Sequence, residues 1–113
     1  MATEYKTGDT FPPISGTVTD GDGLPVDISG ATGCRFIAKQ IDGSTVIAGA
    51  ATIVDDGTQP LRGKWEYEWG PTDLTVAGDY EAEIEITWSL GQIETFPDSK
   101  TRNPQFNVSE DLD

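Results

Sequence analysis

Histidine is absent from the chain. With it goes the most common general base and transition-metal ligand at neutral pH. There is a single cysteine, Cys34, so no disulfide can close within the chain. With no imidazole to activate it, Cys34 reads as a buried structural thiol rather than a nucleophile, and the absence of a disulfide framework fits synthesis in a reducing compartment. Basic residues are scarce: 7 Lys and Arg stand against 20 Asp and Glu, a net charge of −13 over 113 residues. That balance argues against a phosphate-neutralising nucleic-acid surface and against attraction to an anionic membrane. It leaves two readings of the acidity, solubility or a basic partner. No apolar run is long enough to span a bilayer, and no basic segment followed by an apolar one opens the sequence, so the expectation is a chain without a secretion address. A phosphate-cradling glycine loop, a zinc-ligand cluster and a Ser–His or Cys–His pair are missing as well, and no cofactor is expected.

What is present is punctuation and alternation. Thirteen glycines and seven prolines break the chain at short intervals, as many short strands and turns require. Tyr80, Ala82, Ile84, Ile86 and Trp88 alternate with Glu81, Glu83, Glu85 and Thr87, and Trp65, Tyr67 and Trp69 alternate with Lys64, Glu66 and Glu68. Successive side chains of a strand point to opposite faces, so each segment has one apolar and one wet face. Such strands belong to an antiparallel sheet covered on one side.

Along the chain, residues 1–10 carry no pattern and read as an N-terminal arm. Phe11-Pro12-Pro13 reads as an edge-strand entry, since proline cannot donate to a ladder, and Ile14–Val18 as the first strand. Asp20-Gly21-Asp22-Gly23 reads as a tight turn. Cys34–Ile41 is the next main strand, with Cys34, Phe36 and Ala38 on one face and Arg35, Ile37 and Lys39 on the other. Asp42-Gly43 signals a hairpin returning through Ser44–Ala48, and Ala50–Val54 continues as a further strand or as the same strand after a bulge at Gly49. Arg62–Trp69 follows, then a connection with a helical turn at Thr72–Thr75, then the longest strand, Tyr80–Trp88. Gln92–Phe96 returns from a hairpin, Pro97–Pro104 is an irregular loop, Phe106–Val108 is a last short strand, and 110–113 is an acidic tail.

About seven strands in one domain, 11–109, is the immunoglobulin-like pattern: an all-β antiparallel sandwich. The connection from Trp69 to Tyr80 is too long for a hairpin and suits a crossing between sheets. Tyr80 falls where a tyrosine corner would place it, and Ala82 where antibody domains carry a disulfide cysteine. Cys34, Phe36, Trp65, Tyr67, Trp69, Tyr80, Ile84, Ile86 and Trp88 form the expected core.

Candidate functional residues lie outside that core. Carboxylates are many, but on strands they are separated by apolar partners, and glycoside hydrolysis needs two that face each other across a cleft. The expectation is a protein that is not an enzyme. Asp20, Asp22, Asp55 and Asp56 sit in turns. Asp20-Gly21-Asp22-Gly23 begins like a calcium loop, but its glycine comes too early and no glutamate closes it at the twelfth position. Glu81, Glu83 and Glu85 form one outward row, Glu66 and Glu68 another; like charges across a ladder repel, which favours different sheets for the two. Such a row is either a solvated face that blocks edge-to-edge pairing or a dock for a basic surface. Lys100-Thr101-Arg102, the one basic cluster outside a strand, offers such a surface on a neighbouring copy. The arm and Phe11, Pro12 and Pro13 are the other candidate contacts, by pairing with a partner's sheet edge.

Four segments, Asp9-Thr10-Phe11-Pro12-Pro13-Ile14, then Gly23-Leu24-Pro25-Val26-Asp27-Ile28-Ser29-Gly30-Ala31-Thr32, then Ala77-Gly78-Asp79-Tyr80-Glu81-Ala82-Glu83, then Gln92-Ile93-Glu94-Thr95-Phe96-Pro97, run in order. In these the chain resembles the immunoglobulin-like N-terminal domain of tailed-bacteriophage baseplate upper proteins and related small virion proteins. The likeness covers nearly the whole chain, through structural motifs. It implies a non-enzymatic virion structural protein, made in the bacterial cytoplasm, whose partners are other virion proteins and copies of itself. The sequence ends where the baseplate proteins continue into a stalk and a receptor-binding platform. The resemblance therefore implies an accessory protein of tail, baseplate or neck, or a capsid decoration, rather than a receptor binder. A carbohydrate- or calcium-dependent adhesion module is the alternative on the same fold, because fold does not dictate function.

Overall fold

The computed structural model describes residues 3–96 and 105–110. It contains nine strands: β1 (Thr3–Lys6), β2 (Ile14–Thr17), β3 (Gly33–Gln40), β4 (Val46–Ala50), β5 (Thr52–Ile53), β6 (Lys64–Tyr67), β7 (Gly78–Thr87), β8 (Ile93–Phe96) and β9 (Gln105–Ser109). They form two sheets. One runs β1-β9-β7-β3-β4 with β8 also on β7; the other runs β2-β6-β5. With β2, β5 and β6 in the places of strands B, D and E, and β3, β7 and β9 in those of C, F and G, the partition is the immunoglobulin one.

The period-two segments become the two layers. In β7, Tyr80, Ala82, Ile84 and Ile86 are buried while Glu81, Glu83 and Glu85 face outward; in β6, Trp65 and Tyr67 are buried, and Trp69 just beyond it is buried too. Phe36 of β3 is the hub between the layers. Its ring stacks on Tyr67 at 4.6 Å and meets Trp65 at 5.8 Å, Trp69 at 5.6 Å and Phe106 at 6.4 Å. Tyr80 stacks on Phe106 at 5.1 Å. Cys34 is buried in the same cluster, whereas Trp88 lies past the end of β7 and is half-buried at its margin. Close approach at the interface requires Gly49 of β4: a methyl group there would sit 2.9 Å from the Tyr67 ring and hydroxyl.

The long connection from Trp69 to Tyr80 crosses between sheets and is held by both tyrosines it joins. Tyr80 donates its hydroxyl to the carbonyl of Val76 at 2.7 Å, which is a tyrosine corner. Tyr67 donates to the Asp73 carboxylate at 2.5 Å, and the same oxygen accepts the Gly70 N–H at 2.7 Å. Burial, and then the Asp73 acceptor, push the Tyr67 hydroxyl well above the usual phenol range. The segment expected to be a helical turn at Thr72–Thr75 is a plain turn, and the one helical turn among the described residues is a 3₁₀ turn at Ser89–Gly91. Tyr80→Phe removes the corner hydrogen bond together with the hydroxyl's contact with the Thr45 side chain. It is expected to lower stability by about 1 kcal/mol, read as a shift of the urea midpoint at unchanged slope.

Three expectations are corrected. The first is the N-terminal arm: residues 3–6 are a strand, and Tyr5 is 3% exposed, edge-on to Trp69 at 5.1 Å and to Phe106 at 6.1 Å. A strand of four residues with one aromatic is too short to show a period. The second is a wholly antiparallel sandwich: β1 pairs with β9 in parallel, Tyr5 opposite Val108. The third is the strand count. Nine appear because short β1 was unread and because β8 and β9 are two halves of one broken strand. Both lie on the same side of β7, with Ile84 opposite Phe96 and Glu81 opposite Gln105.

Candidate interaction surface

The glutamate row of β7 lies on the outer face of the larger sheet, and β6 with Glu66 lies in the other sheet, so the two rows do not oppose each other. In the ladder between β3 and β7, Glu85 stands opposite Arg35, Glu83 opposite Ile37 and Glu81 opposite Lys39. On the other side Glu85 is opposite Thr95 and Glu81 opposite Gln105. The outer face is thus a striped one, acidic beside basic, and two of the three glutamates have an in-sheet cation as neighbour. Opposite charges at facing positions stabilise a ladder and like charges destabilise it. Reversing Arg35 and Lys39 together to glutamate is therefore expected to cost roughly 1 kcal/mol, falling toward zero at 1 M salt, measured by urea unfolding at low and high ionic strength.

Phe11 is 78% exposed, Pro12 is exposed and Pro13 half-buried, directly before β2, whose Ile14 enters the core opposite Tyr67. The prolines therefore sit at a strand entry, with the Phe11 ring in solvent. Lys100 and Arg102 lie outside the described residues, as does the acidic tail at 111–113. Phe11 precedes β2 of the smaller sheet, while the glutamate row lies on the larger sheet, so these two candidates do not form one site.

Asp20 and Asp56 are each engaged by donors within their own turns. One Asp20 oxygen accepts the N–H groups of Asp22 at 2.9 Å and Leu24 at 3.1 Å, while one Asp56 oxygen accepts the N–H and hydroxyl of Thr58 at 3.0 and 2.8 Å. Among the described residues no three acidic, histidine or cysteine side chains converge. Asp55, read beforehand only as a turn residue, turns out to be the one buried charged side chain among the described residues, 7% exposed. One of its oxygens accepts Ile28 N–H at 2.7 Å and Gly63 N–H at 2.7 Å; the other accepts Gly57 N–H at 2.6 Å. Gly63 reaches it at a φ of +80°, where a Cβ would stand 2.8 Å from the Val18 carbonyl. Burial alone would raise the carboxyl, but the three N–H donors, with the Arg62 guanidinium nearby, hold it below its ordinary value. Arg62 in turn donates to the Gly57 carbonyl at 2.9 Å. Asp55 thus ties the loop after β5 to the loop before β3. This is a structural clasp, and its only sequence signal was an aspartate between turn glycines.

Burial pushes the Cys34 thiol up to about 11. At neutral pH it is therefore protonated as well as covered, and a thiol reagent is expected to modify it in the native protein at least about a hundredfold more slowly than in urea-unfolded chain.

The described residues thus offer a charged sheet face, strand edges and an exposed ring at Phe11. Neither a family model nor a curated protein matches the chain.

Proposed function

We propose that this chain is a non-enzymatic structural module of a bacteriophage virion, an immunoglobulin-like domain that docks in several copies on a tail, baseplate, neck or capsid surface. What supports the reading is the ordered run of motifs that resemble those of baseplate upper proteins, each of which has a framing role in this fold. Asp9–Ile14 leads into β2, Gly23–Thr32 contains the Ile28 N–H that Asp55 holds, Ala77–Glu83 follows the tyrosine corner into β7, and Gln92–Phe96 contains β8. Contacts made by such a module come from side-chain faces and strand edges, and repetition on a symmetric particle multiplies a modest affinity per copy.

The test is location. Particles purified from a lysed bacterial culture that carries the gene should contain the chain at a fixed copy number per particle, and a tag on it should give density at one symmetric set of positions. Recovery of the chain only from the soluble fraction, with none on particles, would overturn the proposal.

A further inference from the structure

Natural sheets guard their edges with charge, proline or very short strands. Three of the edge strands described here do so. The parallel edge, β1, carries Glu4 and Lys6; β2 follows Pro12 and Pro13; β5 is two residues long. The half-strand β8 carries Glu94. By contrast, β4 has five residues, Val46-Ile47-Ala48-Gly49-Ala50, with no charge and no proline, inside a stretch from Ser44 to Val54 with no charged residue. Among the described residues it pairs on one side only, with β3.

The hydrogen-bond phase of that ladder shows what the other side presents. Gln40 N–H donates to the Thr45 carbonyl at 2.9 Å, and Ala51 N–H to the Cys34 carbonyl at 2.9 Å. Residues 45, 47, 49 and 51 therefore turn their main-chain groups toward β3, and in an antiparallel ladder the alternate residues turn theirs away. Val46, Ala48 and Ala50 thus aim N–H and C=O out of the sheet edge, and all three side chains are exposed on its outer face.

We propose that this edge is an interface between two copies of the chain, formed by antiparallel pairing of β4 with β4 about a two-fold axis at Ala48. The segment is self-complementary in that register. Ala48 faces Ala48 of the second copy and Val46 faces Ala50, so no bulky or charged pair meets, and the outward groups of three residues supply six main-chain hydrogen bonds. The two six-stranded sheets become one continuous sheet, an isologous and closed contact. Charge does not oppose it despite the net −13. The nearest charged rows, Arg35 and Lys39 on β3, would lie three strand spacings from their counterparts, roughly 14 Å, beyond a Debye length of about 8 Å at physiological salt. The acidic rows of β7 are one strand farther out on each side. A second copy is favoured over a foreign strand because the match is to β4 itself. The inference does not rest on the virion reading.

Sedimentation velocity of the full chain from about 10 µM to about 1 mM is expected to show a reversible monomer–dimer equilibrium. Ala48→Lys, which changes an exposed side chain, should weaken it at least about tenfold with the melting temperature unchanged. Ala48→Cys should oxidise to a covalent dimer. Ala50→Cys should not, since four residues of offset hold its sulfurs roughly 14 Å apart in the proposed register. A wild-type chain that stays monomeric throughout would overturn the proposal, including one that captures another protein's strand at this edge. A dimer indifferent to Ala48→Lys, or linked as readily through residue 50 as through 48, would overturn it too. The cysteine pair decides the matter if the lysine variant does not fold.

Discussion

Asp55→Ala is expected to destabilise the domain by roughly 3–5 kcal/mol, because two buried N–H groups and one half-buried one lose their acceptor together and each unsatisfied buried donor costs about 1–3 kcal/mol. The donors are Ile28, Gly57 and Gly63, drawn from two loops that the Val18 N–H to Gly63 carbonyl bond also joins. Asp55→Asn keeps the shape but replaces one acceptor oxygen by a donor, so it should recover only part of the loss. Urea unfolding at pH 7 measures both variants. The same carboxylate gives a pH dependence with a definite sign. Its value in the folded chain is held below the ordinary 3.8, so it contributes stability above that value, and the contribution fades as pH falls through the folded-state value. Wild type should therefore lose stability below about pH 4, and the difference between wild type and Asp55→Ala should shrink over the same window. An unchanged gap between the two at pH 2.5 and pH 7 would show that the charge of Asp55 contributes nothing.

Phe36→Ala is expected to cost about 3–5 kcal/mol, the range for removing a large aromatic from a closed core. Phe36 has no exposed surface and touches rings from β6, the segment after it and β9. Its loss leaves a cavity where the two sheets meet, and four aromatic neighbours lose one partner each. At about 4 °C per kcal/mol for a domain of this size, the melting temperature should fall by about 12–20 °C. Phe36→Leu should cost less than half as much. The contrast with Ala48→Lys at an exposed position of β4 separates the roles of the two strands: one substitution moves the melting temperature, the other moves the association constant.

Phe36 and Asp55 also show how far the sequence reaches. Phe36 was legible as core from alternation alone, because a strand covered on one face must carry its apolar side chains at every second position. The same rule located Trp65, Tyr67, Tyr80, Ile84 and Ile86, and turn chemistry with spacing placed the crossing at 69–80 and the tyrosine corner. Asp55 was not legible as a buried clasp. Its three donors come from residues 28, 57 and 63, and only the packing of one loop on the other brings them to a single carboxylate.

The same division holds for the whole molecule. Local rules of period and turn determined an all-β sandwich and its inward residues, since those rules act between neighbours in the chain. Tertiary structure alone decided that Tyr5 closes the sheet in parallel, that β8 and β9 share one side of β7, that the glutamates of β7 lie beside Arg35 and Lys39, and that β4 ends the sheet unguarded. Each of these depends on which strands become neighbours. Partner choice is set by contacts between residues far apart in sequence, whose loop-closure cost and packing gain are not written in any short segment.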